Sequence, residues 1–152
     1  MKVVLASDHR GYQLKESFKK LLEEMKIEFL DVGAFSTDSV DYPDVAMLAA
    51  EKVSHGGYDR GILICGSGIG MGIVANKFPG IRAAVCHDVY TAEMSRRHND
   101  SNMLGLGADI ISEGLAHTIL KVWIETQFEG GRHFRRIQKI SDIESRLKKN
   151  GH

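Results

Sequence analysis

Residues 61–72 read Gly61-Ile62-Leu63-Ile64-Cys65-Gly66-Ser67-Gly68-Ile69-Gly70-Met71-Gly72, a thiol followed by alternating glycines. Glycines let a chain turn sharply and aim several backbone N–H groups at one point, and a following helix adds partial positive charge. A free thiol has a pKa of about 8.5, which such surroundings lower. Two chemistries suit Cys65. With His98 and Asp8 it would form a thiol-hydrolase triad. Alternatively, it would act as a base beside a carbonyl, with the N–H cup of Gly66, Ser67, Gly68, Ile69 and Gly70 facing the enediolate.

Further reactive side chains stand in Ser7-Asp8-His9, Cys86-His87-Asp88 and Arg97-His98-Asn99-Asp100. The expectation is that all of them, His98 included, share one rim of a parallel sheet with Cys65, where ligands of such folds bind. The plainer reading of Asp8, Ser67 and Asp88 is helix capping, and Cys86 reads as a small buried hydrophobe. Arg132 and Arg136 are four apart, so on a helix they share a face and suit a phosphate, or form a solvated basic face.

Several classes are disfavoured. The first βα turn, Ser7-Asp8-His9-Arg10-Gly11, lacks the glycines of a dinucleotide fingerprint, and no Gly-Lys-Ser/Thr follows the 66–72 loop. The seven histidines form neither His-x-x-x-His nor a Cys-x-x-Cys partner set, so no metal is expected. Lys plus Arg (20) balances Asp plus Glu (20), which argues against nucleic acid. No apolar run approaches a membrane span, and the N-terminal run is too short for a signal peptide. Two cysteines make no disulfide framework, which suggests reduced thiols and a cytoplasmic protein.

These residues need a frame. Strands are expected at 3–6, 29–32, 61–65, 82–86 and 103–106. Helical faces lie at Leu14/Phe18/Leu21/Leu22/Met25, Val45/Leu48/Ala49/Val53, 70–78, 88–97 and Leu115/Ile119/Val122/Trp123. Residues 33–41 read as loop. Five βα units predict one α/β domain over 1–152, with a parallel sheet covered on both faces. Gly130-Gly131 is expected to break the fifth helix. The basic tail, 128–150, keeps a helical period through Ile137, Ile140, Ile143 and Leu147, and a partner subunit is one place for it to dock.

The motifs Ser7-Asp8-His9, Ser39-Val40-Asp41-Tyr42-Pro43-Asp44, the 61–70 loop, Asn76-Lys77, Gly80-Ile81-Arg82-Ala83-Ala84, Arg97-His98-Asn99-Asp100 and Phe128-Glu129-Gly130-Gly131-Arg132-His133 occur in order. Together they resemble the RpiB/LacAB family of sugar-phosphate isomerases over residues 1 to about 145. The resemblance implies a three-layer Rossmann-like sandwich and an aldose–ketose isomerase of ribose 5-phosphate, or of allose or galactose 6-phosphate. It further implies no cofactor and a homodimer or tetramer with its site between subunits. By the same resemblance Cys65 moves the proton, His98 opens the ring, Asp8 and Ser67 handle hydroxyl protons, and Gly66, Gly68, Ile69 and Gly70 form the anion cup. Asn99 contacts substrate, and His9, Arg132 and Arg136 grip the phosphate. Two positions depart: Ser67 replaces a common Thr, and Asp109 replaces a common substrate-contacting Arg.

Overall fold

Five strands and six helices alternate along residues 1–151, which the computed structural model describes. The strands are β1 (Lys2–Ser7), β2 (Glu28–Asp31), β3 (Arg60–Cys65), β4 (Ala83–Val85) and β5 (Met103–Gly107). All pairings are parallel, in the order β2-β1-β3-β5-β4. The helices are α1 (Tyr12–Glu24), α2 (Tyr42–Ser54), α3 (Ile69–Ala75), α4 (Val89–Arg97), α5 (Glu113–Glu125) and α6 (Arg132–Lys149). The expected α/β sandwich is present, with small shifts at element ends.

Parallel strands with helices on both faces have no solvent side, and this is why β3 and β5 are buried throughout. Leu14, Phe18, Leu21 and Leu22 of α1 pack with Trp123 and Ile119 of α5 on one face of the sheet. Ala46, Ala49 and Ala50 of α2 pack with Met71 and Ala75 of α3 on the other. The helices that follow the adjacent strands β1 and β3 therefore leave toward opposite faces. Their divergence opens a crevice at the carboxyl ends of those two strands, the place where open α/β sheets bind ligands.

Two local expectations are corrected, and one buried charge is added to them. α5 ends at Glu125, not at Gly130-Gly131: Thr126 turns to extended backbone while its Oγ1 donates to the Val122 carbonyl at 2.6 Å. α3 stops at Ala75, because the Asn76 amide leaves the helix to pair with both backbone groups of Ala83, at 3.0 and 2.8 Å. Lys15 lies on the buried side of α1 with no exposed surface, its Nζ 2.6 Å from Asp31 Oδ1 and 2.5 Å from the Ala34 carbonyl. That ammonium ties α1 to the loop after β2.

Candidate active site

Cys65 closes β3 and is 5% exposed. Its Sγ accepts the Gly68 N–H at 3.1 Å, which holds the sulfur in the turn. Gly68 has φ +77°, a left-handed conformation that glycine adopts freely, and an added Cβ would lie 2.8 Å from the Leu106 backbone. Ser67 Oγ accepts the Ile69 N–H at 3.2 Å, so it acts as a loop-capping group. Two of the five N–H groups expected in the cup, those of Gly68 and Ile69, are thus used within the loop. α3 has only seven residues, so its dipole adds little. The ring of Tyr42, the first residue of α2, lies against Gly70.

Asp8 follows β1 across the crevice and is nearly buried. Its Oδ1 accepts the N–H groups of Arg10 (2.9 Å) and Gly11 (3.0 Å), which shapes the turn. His9 Nδ1 accepts the Val40 N–H at 3.2 Å. The ring proton therefore sits on Nε2, ready to donate, and the loop 33–41 is drawn toward the crevice. Cys65, Asp8, Ser67, Tyr42 and Gly70 line one cavity of about 640 Å³.

His98 does not join them. α4 starts beyond the carboxyl end of β4 and runs back toward the amino end of β5, as any crossover helix must. His98 is its last cap, and the nearby Asn102 carbonyl accepts the N–H of Gly61 at the start of β3. The two rims are separated by the length of a six-residue strand, roughly 20 Å at 3.3 Å per residue. The expectation of one shared rim is overturned for His98 and Asn99, and within one chain a Cys65–His98–Asp8 triad does not form.

A second cluster forms at that opposite rim. The Glu129 N–H donates to the Arg97 carbonyl at 3.1 Å, which brings the start of α6 beside His98. The His98 and His133 rings stack, with centroids 4.2 Å apart and planes 9° from parallel. Arg97 pairs with Glu129, 2.7 Å from Nε, and holds that carboxyl below its ordinary range. Burial pushes the His133 imidazole down, and the neighbouring His98 and Arg132 push it the same way against the opposing pull of Glu129. Arg132 and Arg136 stand exposed on the first turns of α6. Arg96, buried, donates to Asp100 at 2.8 Å and to the Ser101 carbonyl at 2.5 Å, and Trp123 Nε1 donates to Ser101 Oγ at 2.8 Å. These bonds fix the turn that carries His98 and Asn99.

His98, Glu129 and His133 offer metal-type ligand atoms within 4.8 Å of one another, a grouping that residue spacing did not reveal. Parallel stacked rings aim their lone pairs along separate planes, and Arg97, Arg132 and Arg136 add positive charge. The arrangement suits a stacked imidazole pair beside an anion better than a cation. Three more residues escaped the sequence reading: Tyr42 and Arg10 in the first cluster and His133 in the second. Tyr42 and His133 each sat inside a recognised motif, whereas Arg10 carried no signal. Among the described residues, no helix is long and apolar enough to cross a membrane.

The family model for Ribose/Galactose Isomerase matches residues 3–140. The chain is 52% identical to a putative sugar phosphate isomerase, YwlF, of Bacillus subtilis, over 96% of this chain and 99% of the other. It is 44% identical to ribose-5-phosphate isomerase B of Escherichia coli, over 95% and 97% of the two chains. Its fold superimposes on the Clostridium thermocellum ribose-5-phosphate isomerase B structure with a TM-score of 0.94, at 48% identity over 97% and 99% of the chains.

Proposed function

The chain belongs to the ribose/galactose isomerase family, and on that premise we propose that it interconverts D-ribose 5-phosphate and D-ribulose 5-phosphate. The observation that carries the chemistry is a single buried thiol held by a backbone N–H at the crevice between β1 and β3, with Asp8 and Ser67 beside it. The Cys65 thiolate takes the proton from C2 of the open-chain aldose. The electron pair moves into an enediolate, and the same proton returns to C1 as the carbonyl forms at C2. One carbon is oxidised as its neighbour is reduced, so the step calls for no external redox cofactor. Asp8 and Ser67 are placed to relay the hydroxyl protons, and the remaining N–H groups of Gly66, Ser67 and Gly70 to meet the developing charge.

Ring opening and phosphate binding are assigned to the second cluster, supplied by another copy of the chain. His98 protonates the ring oxygen, Asn99 contacts the sugar, and Arg132 and Arg136 hold the phosphate together with the Nε2–H of His9. A homodimer with shared sites is supported by the separation of the two rims and by α6, whose buried residues number one, His133. Ile140, Ile143 and Leu147 of α6 are about half exposed and face a groove of about 840 Å³ along the β4 edge of the sheet. A second copy is the natural filling for it. The test is turnover of ribose 5-phosphate by Cys65→Ala: loss of more than a thousandfold in kcat with binding retained is expected, and near-normal turnover would exclude the thiol as the base.

A further inference from the structure

We propose that His87 is a positioning residue for the isomerisation step: by holding the end of β5, its ring sets the two peptides after the thiol so that the Gly66 and Ser67 N–H groups meet the enediolate. This rests on the isomerase reading above. β4 is short and ends at Val85, while β5 beside it runs on to Gly107. The Cys86 N–H still donates to the Gly105 carbonyl, at 3.1 Å. In a parallel ladder that continued, the next bond would run from the Gly107 N–H to a backbone carbonyl of the neighbouring strand. It runs instead to Nε2 of the His87 ring, at 3.1 Å. The imidazole therefore stands in for the missing strand, with its ring proton on Nδ1.

That bond fixes the turn on which the thiol loop rests. The next two N–H groups, of Ala108 and Asp109, donate to the carbonyls of Cys65 and Gly66, at 2.8 and 3.2 Å. Both peptides are trans, and a trans peptide points its C=O and N–H in opposite directions. With the two carbonyls bound to the turn, the N–H groups of the same peptides, which belong to Gly66 and Ser67, point away from it. Among the described residues no hydrogen bond uses either N–H, and both residues line the cavity that holds Cys65. If either peptide turned over, a carbonyl oxygen would face the enediolate in place of a donor. Ring, turn and loop meet without slack: a Cβ built on Gly107 would fall 2.9 Å from His87 Nε2 and 2.9 Å from the Ser67 carbonyl carbon. His87 is half-buried and stands behind the cavity wall, so it acts through these bonds and not on the substrate.

The experiment measures kcat and KM for ribose 5-phosphate in the wild type, His87→Gln, His87→Phe and His87→Asn, with thermal midpoints alongside. It also measures the binding of inorganic phosphate and of a four-carbon phosphohydroxamate, whose planar anion copies the enediolate. Phe keeps a ring without an acceptor, and the Asn amide reaches only as far as Nδ1. Both should lower kcat at least about tenfold with KM little changed, since outright removal of one donor to a developing oxyanion costs more than that. They should weaken the hydroxamate by the same factor and leave phosphate binding alone. The Gln carbonyl reaches the place of Nε2, so His87→Gln should stay close to the wild type throughout. Should His87→Phe fail to fold, His87→Asn carries the same expectation. Unchanged kcat in the folded variants, a change in KM alone, or a Gln variant as impaired as Phe would overturn the role of His87 alone. Loss of the fold in both Phe and Asn variants would overturn it too, by showing that the ring serves stability. A wild type that fails to isomerise ribose 5-phosphate would overturn the isomerase reading and this role with it.

Discussion

Lys15 is a charge that the fold keeps away from water. Burial pushes its ammonium down in pKa, and the Asp31 carboxylate at 2.6 Å opposes that shift. Burial alone would push Asp31 up, but the bonds from Lys15, the Gly33 N–H and Lys19 outweigh it and hold the carboxyl below its ordinary value. The sign of the pH effect follows from that depression. The folded state prefers the charged carboxylate, so the stabilisation is complete above the unfolded pKa of about 3.9. It is lost as pH falls through the lower folded value. In Asp31→Asn, Lys15 keeps its burial and loses its counter-charge, which costs about 3–5 kcal/mol at neutral pH. Denaturant melts from pH 7 down to pH 2 check this: the wild type should lose stability below about pH 4, and the variant should lose less over the same range. Lys15 was unreadable in the sequence, where it follows Leu14 as one charged residue among many. Only the pairing of α1 against β2 reveals that it faces inward.

At the level of elements, the alternation of strand and helix was legible because buried parallel strands are written as unbroken apolar runs and helices as amphipathic ones. The glycine loop was legible for the same kind of reason, since Gly68 must be glycine where the chain turns at φ +77° against Leu106. Gly68→Ala should therefore destabilise the fold by at least about 1–2 kcal/mol. It should also reduce kcat more than KM, because the N–H that holds the Cys65 sulfur moves with it. Thermal melting beside steady-state kinetics reads both effects, and an unchanged kcat in a folded variant would show that the turn does not position the thiol. The placement of His98 failed for a topological reason. The sequence puts it just before β5, which groups it with residues that end strands. A crossover helix returns to the amino end of the sheet, so its last residues belong to the opposite rim. Asp109 stands out in the sequence as a departure from the family pattern, but its ion pair with Arg10 does not, because that contact depends on the order in which the strands pair.

At the scale of the whole molecule, the two rims carry two incomplete sets of groups. One has a thiol, an acid and a glycine turn. The other has a stacked histidine pair and two exposed guanidiniums beside a helix that buries little of itself. The proposed homodimer joins each set to its complement, and a two-fold axis then builds two equal sites. The apolar residues of α6 and the groove beside β4 would account for the contact. Cys65→Ala and His98→Gln, each nearly inactive as a homodimer, provide the most direct test of this arrangement. In a mixed dimer carrying one copy of each, isolated through two different affinity tags, one site contains both substitutions and the other contains neither. Ribose 5-phosphate turnover by that mixed dimer should recover to about half the wild-type value per dimer. Turnover no higher than that of the two parents would contradict a site shared between copies.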